Sequence, residues 1–307
     1  MRIYHLLILI FFVGCKDAGK LYLPNKVAVG DRLLSELSEG TQVKSYKVEK
    51  SSSYHLSVDG LKQDFDNTTT FLVDHEFSRD SSGMLKLQTS YRRIEISDNQ
   101  NGTKETVVVS ENSSSDDQES QIWQIFLKSK PYVVWNTQGE VVRTGGLENL
   151  ADSIFSNMNV DASTKFALRK KWQDAVTEMQ QSLSQNLFPG FVKDSMLTKG
   201  SAWTVKVKDK ALEIPVELET IFRLDSWNDT YANISSSASI DIDNVISSQV
   251  AGAKVQLKGE QKGEYKIDLS TGLVSVSIIK TNAKGSVQML GKTIPVSIEN
   301  EVRVEEQ

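Results

Sequence analysis

Residues 212–224 carry the strongest constraint on what this chain can become. Leu212, Ile214, Val216, Leu218, Phe222 and Leu224 fall on one phase, and Glu213, Glu217, Glu219 and Arg223 fall on the other. A period of two places alternate side chains on opposite faces of a strand, whereas a helix would scatter them around its axis. At about 3.3 Å per residue such a strand reaches about 40 Å, and its apolar face must be covered. Pro215 lies on the outward phase, which predicts an edge position or a bend.

The same alternation recurs along the chain. Tyr54, Leu56 and Val58, then Phe71, Val73 and Phe77, then Ile94 and Ile96 mark strands in the first half. Asp98-Asn99-Gln100-Asn101-Gly102 reads as a turn back into Val107-Val108-Val109. Residues 111–121 hold no apolar side chain and read as a loop carrying Asp116, Asp117 and Glu119. Residues 123–127 and 132–135 read as strands. Trp203, Ile234, Ile240, Tyr265, Ile267, Val274, Val276, Ile294 and Val296 extend the alternation through the second half. Between the halves the period changes. Leu147, Leu150, Ile154 and Met158, then Leu168, Trp172, Val176, Met179 and Leu183, recur every three or four residues and predict two helices within 147–186, ended by Pro189-Gly190. The expected fold is therefore α+β, mainly β with a central helical pair: one or more large curved antiparallel sheets, or a half-barrel, wrapped over two helices. Residues 31–307 read as one β-rich domain whose halves, 31–145 and 200–307, share a strand-turn pattern open to reading as a pseudo-repeat.

The N-terminus reads as an address. Arg2 precedes an apolar run from Leu6 to Val13, too short to cross about 30 Å of hydrocarbon as a helix. Phe12-Val13-Gly14-Cys15 resembles a bacterial lipobox, and Cys15 is the single cysteine of the chain. The resemblance implies a signal peptide over 1–14, lipidation at Cys15 and a tether over 15–30. It further implies a place in the bacterial cell envelope, at the outer membrane. Net charge is −5, which argues against a nucleic-acid binder working through a basic surface. One cysteine leaves no intrachain disulfide and no cysteine-built metal site.

Catalytic patterns are scarce. The sequence contains no G-x-S-x-G, no G-x-x-x-x-G-K-[ST], no G-x-G-x-x-G and no H-E-x-x-H. No catalytic residue, metal ligand or cofactor is assigned, and the chain is expected not to be an enzyme. His55 sits on a polar phase, while His75 shares the phase of Val73 and Phe77 and is expected to face inward, as a core histidine or as a ligand contact. Asp241 and Asp243 alternate on one strand face, and Asp225 and Asp229 bracket the turn that holds Trp227. Paired carboxylates of this kind can serve glycoside hydrolysis or Ca²⁺ binding. Trp227 is the best candidate for an exposed aromatic. The ligand-contact candidates are His75, Trp172 and Trp227.

Residues 258–268 (KGEQKGEYKID), then Ser270-Thr271-Gly272-Leu273, then Met289-Leu290-Gly291-Lys292-Thr293-Ile294-Pro295-Val296, resemble an uncharacterised family of bacterial secreted proteins, often lipoproteins. The resemblance brings no catalytic residues. It implies a shape similar to the lipoprotein-carrier class, a half-barrel of antiparallel strands closed by helices. The expected function is non-enzymatic binding of a hydrophobic or lipid ligand, or of an envelope protein partner, by a protein held to the membrane through its lipid. A surface glycan-binding or hydrolytic protein using the acidic residues and Trp227, and a purely structural envelope component, are the rival expectations.

Overall fold

The computed structural model describes residues 21–22, 41–58, 61–111, 123–125, 127–136, 141–147, 196–211, 214–246, 253–289 and 291–307. Among them the chain forms β1 (Leu21–Tyr22), β2 (Gln42–Val58), β3 (Leu61–Arg79), β4 (Leu85–Gln100), β5 (Thr103–Ser110), β6 (Tyr132–Trp135), β7 (Val141–Gly145), β8 (Met196–Leu197), β9 (Ala202–Ala211), β10 (Ile214–Trp227), β11 (Tyr231–Ile246), β12 (Ala253–Asp268), β13 (Val274–Met289) and β14 (Lys292–Glu306). Strands β1 and β8 pair with each other. The rest make one twelve-stranded sheet in the order β7-β6-β4-β3-β2-β14-β13-β12-β11-β10-β9, with β5 also on β4.

The order follows from hairpin chemistry. Sequence neighbours pair antiparallel from β2 to β5 and from β9 to β14, because a short turn can only return a strand beside its predecessor. The β4–β5 turn is Asn101-Gly102, with φ of 50° and 89°, the pair of positive angles that a type I′ turn requires. At the β3–β4 turn, the Asp80 carboxylate accepts the N–H groups of Ser82 and Met84, both at 2.9 Å, and the Arg143 guanidinium of β7 at 2.5 Å. Partial burial opposes its charge, but the Met84 and Ser82 amides and Arg143 outweigh that and hold the carboxyl below its usual range. Within the large sheet the pairing that spans most sequence is β14 on β2, from Val296 opposite Leu56 to Glu306 opposite Tyr46. The Gln307 N–H continues it to the Ser45 carbonyl at 2.9 Å.

The structure corrects the α+β expectation. The described residues are nearly all strand, contain no helix of seven or more residues, and make one large antiparallel sheet rather than a sheet wrapped over a central helical pair. Among the described residues, the three buried clusters draw mostly on strand side chains. The helical stripe from Leu150 to Leu183 lies outside the described residues. Two smaller corrections follow. Trp123, Gln124, Ile125 and Leu127 form a helical turn, not a strand. Strand β10 is interior rather than an edge, but its register with β11 begins at Ile221, so the N–H that Pro215 lacks is needed by no bond to β11.

The sheet has two distinct faces. The outer one carries cross-strand ion pairs: Lys206–Glu217 at 3.0 Å, Lys254–Asp243 at 2.9 Å and Lys280–Glu301 at 3.1 Å. Exposed pairs of this kind contribute little to stability but keep the face hydrated. The inner one carries the buried clusters. On β4 a register shift opposite Leu72 and Val73 lets both Tyr91 and Ile94 turn inward.

Candidate functional site

The strand registers place a line of polar side chains across the inner, otherwise apolar face. Asp98 (β4), Asn67 (β3), Ser52 (β2), Asn300 (β14), Thr281 (β13) and Gln261 (β12) stand opposite one another in sequence. Ala238 of β11 follows Gln261, and continuation of the β10 register brings Thr220 next. Seven strand spacings of about 4.8 Å make this row roughly 34 Å long. Asn67 Nδ2 donates to Asp98 Oδ1 at 2.5 Å, Thr69 Oγ1 to Asn67 Oδ1 at 3.3 Å, and Gln261 Nε2 to Thr281 Oγ1 at 3.2 Å.

Two atoms of the row are buried without a hydrogen-bond partner among the described residues, Asn300 Oδ1 and Thr220 Oγ1. Each unpaired buried polar atom costs about 1–3 kcal/mol, so the row carries unspent hydrogen-bonding capacity. The row also divides the apolar face. On one side lies the cluster of Leu218, Ile240, Ile242, Leu257, Val296 and Ile298. On the other lie the clusters built around Tyr46, Phe77 and Leu87 and around Phe222, Leu224 and Ile267. Close to the row, Val48, Tyr54, Phe65, Phe71, Ile279 and Val302 are only half-buried. A part-open apolar surface crossed by hydroxyls and amides can bury a long apolar chain while bonding a polar group attached to it.

His75 is buried beside Tyr46 of the first cluster, facing inward as its phase requires. Its ring is tilted against Tyr46 at 5.2 Å between centroids, and Nδ1 shares a hydrogen bond with Thr89 Oγ1 at 3.0 Å. Burial pushes the imidazole down to about 4, with Asp74 pulling weakly the other way. The Tyr46 hydroxyl is buried with no hydrogen-bond partner among the described residues; burial, then the charges of Glu306 and Asp268, hold it firmly protonated. Both the His75 and the Tyr46 side chains are buried in the core.

The other sequence candidates do not converge. Trp227 closes β10 opposite Ala232 and packs half-buried against the third cluster, which corrects its reading as an exposed turn aromatic. Asp241 and Asp243 face outward, bonded to Lys258 at 3.3 Å and to Lys254 at 2.9 Å. Asp225 is held by Arg223 at 2.8 Å, and His55 by Asp64 at 2.8 Å. Among the described residues no three His, Cys, Asp or Glu side chains gather as metal ligands. Cys15, Trp172, Asp116, Asp117 and Glu119 lie outside the described residues. A depression of about 430 Å³ opens at the β3–β4 turn between Arg79, Asp80, Lys86, Tyr132 and Arg143. Its charges are engaged in the fold: Asp80 with Arg143, Arg79 with the Gly83 carbonyl, and Lys86 with Gln88 and over the Tyr132 ring.

The fold and this face define a protein built on one broad antiparallel sheet, charged outside and apolar within. Residues 82–274 match DUF6263, a family of unknown function, and the chain belongs to that family. The match includes part of the C-terminal segment that carries the resemblance seen in the sequence. No curated protein matches the chain. Among solved structures it is similar to lipovitellin, from a study of lipid–protein interactions in that protein. Identity is 9%, with 88% of this chain and 25% of that chain covered, at a TM-score of 0.51. The chain thus spans about a quarter of lipovitellin, and the likeness is one of fold. A DUF1329 family protein from Desulfovibrio piger ATCC 29098 aligns over 92% of this chain and 94% of its own at 7% identity, with a TM-score of 0.14. That score carries no argument about shape.

Proposed function

We propose that this protein is a non-enzymatic, lipid-anchored envelope protein that holds an acyl-chain ligand on the inner face of its sheet. The observation that carries the reading is that face: half-buried apolar side chains flanking a row of hydroxyls and amides, two of whose buried atoms lack partners among the described residues. Removing apolar surface from water contributes about 25 cal/mol per Å², enough for one acyl chain to bind without any reacting group. The fold likeness to lipovitellin, a protein whose structure was examined for its interactions with lipid, supports the same reading. The hydrolytic alternative gains no support from carboxylates that stand apart on the outer face in ion pairs.

The anchor rests on Cys15. Each buried methylene adds about 0.8 kcal/mol to membrane attachment, so several acyl chains on one cysteine hold a protein stably. Native mass spectrometry of the protein purified from bacterial cells is expected to show a non-covalent lipid in addition to the covalent anchor. The Cys15→Ser variant is expected to leave the membrane fraction and still carry the non-covalent lipid. A mass without any non-covalent adduct would contradict the ligand, and a Cys15→Ser variant that stays with the membrane would contradict the anchor.

A further inference from the structure

We infer that the ligand of the inner face is an anionic amphiphile whose charged head is bound by Lys50; this rests on the acyl-binding reading above. Lys50 sits in the middle of β2 on the same phase as Tyr46, Val48, Ser52 and Tyr54, the phase of the inner face. The register sets it between Thr69 of β3 and Val302 of β14, one step along the strand from the polar row.

Among the described residues its inner-face neighbours are uncharged. Along β2 it follows Val48 and precedes Ser52, and beyond Thr69 and Val302 its cross-strand row continues into Ile96 and Ile279. The charged inward groups nearest in the fold are already engaged: Lys44 with Glu306 at 2.8 Å, and Asp98 with the Asn67 amide. The other ionisable side chains of β2 have partners, Lys47 with Glu49 at 2.8 Å and His55 with Asp64. Lys50 forms no ion pair among the described residues and is exposed although its phase points to the apolar face.

A lone ammonium placed among Val48, Val302, Ile279 and Phe71 favours an anion that arrives with an apolar chain. Water alone would satisfy the charge but not the half-buried apolar rim. A neutral lipid would satisfy the rim but not the charge. Ser52, the next inward residue along β2, adds a hydroxyl beside Lys50. The head is thus a carboxylate or a phosphate on an acyl chain, with the tail running over the flanking apolar side chains.

The test is equilibrium dialysis of the full chain at pH 8 against oleate and against oleyl alcohol, which share one chain and differ in charge. Wild type is expected to bind oleate about tenfold or more tightly than oleyl alcohol, the ratio a charge-assisted contact supplies. Lys50→Met, which keeps the stem, is expected to erase that preference and leave oleyl alcohol binding unchanged; Lys50→Arg is expected to retain it. Competition by oleoyl lysophosphatidylglycerol at lower concentration than oleate identifies a phosphate head, and the reverse order a carboxylate. Equal binding of oleate and oleyl alcohol by wild type, or an unchanged preference in Lys50→Met, would overturn the anionic head while leaving acyl binding intact. Failure of both probes to bind would overturn acyl binding itself.

Discussion

Gly285→Ala is expected to lower the stability of the folded protein by about 3 kcal/mol. The sign is opposite to the ordinary one, since alanine in a strand usually stabilises relative to glycine by restricting the unfolded chain. At Gly285 of β13 a Cβ would lie 1.8 Å from the Gln256 carbonyl oxygen and 3.0 Å from Leu257 Cα on β12. Neither obstacle is a movable side-chain end, so the two central strands would have to separate. Gly259 of β12 shows the reciprocal contact, its Cβ position 2.0 Å from the Asn282 carbonyl oxygen of β13. The pair marks a close backbone approach in mid-sheet, the use of glycine that a strand interior otherwise penalises. Urea unfolding followed by tryptophan fluorescence should show a lower midpoint at unchanged slope for Gly285→Ala. The outward and exposed Lys284→Ala should stay within about 0.5 kcal/mol of wild type. A Gly285→Ala protein as stable as wild type would contradict the close approach.

The second large effect is a loss of stability in acid, set by His75. Its imidazole is held at about 4 when folded and has an ordinary value of 6.5. Between those values the unfolded chain binds the proton and the folded chain does not, so stability rises with pH across that window. The contribution is complete above pH 6.5 and is lost as pH falls toward 4. A shift of this size corresponds to about 3 kcal/mol. Asp80 acts in a lower window, because a depressed carboxyl loses its contribution only below its ordinary value of 3.8. Stability measured by urea unfolding from pH 7 to 4 should therefore fall by about 3 kcal/mol in wild type. His75→Gln, which can still bond Thr89 but does not titrate, should show a much flatter profile. A wild-type profile as flat as that of His75→Gln would contradict a buried neutral histidine.

What the sequence reveals and what it conceals divide along physical lines. The alternation at 212–224, 71–77 and 265–278 marks strands because one sheet face is apolar and the other hydrated, and period two follows directly from that. The inward position of His75 is legible for the same reason. Asn101-Gly102 announces its hairpin through the positive φ angles it must adopt. The residues 123–127 mislead because a short apolar run has no period long enough to separate strand from helix. Tyr91 and Ile94 share a face only through a register shift, which no local pattern announces. The α+β expectation rested on the three-to-four-residue period of 147–186, nearly all of which lies outside the described residues, while the described residues are nearly all strand.

The polar row was hidden more deeply. Asp98, Asn67, Ser52, Asn300, Thr281 and Gln261 are scattered over most of the chain and meet only through five strand registers. In its own strand each looks like an ordinary polar residue. Lys50 stands just before Ser51-Ser52-Ser53 and reads as part of a hydrated stretch. Extending the phase of Tyr54 and Leu56 backward through Ser52 would have placed it on the apolar face, and that is the one local signal present.

The most direct test of the account is photolabelling of the full chain with a diazirine-bearing fatty acid, followed by peptide mapping. Label is expected on inward side chains of β2, β3, β13 and β14 near Val48, Phe71, Ile279 and Val302, and unlabelled oleate should compete it away. Label confined to outward residues such as Glu49, Lys280 and Arg303, or label that oleate does not displace, would contradict an acyl-binding inner face.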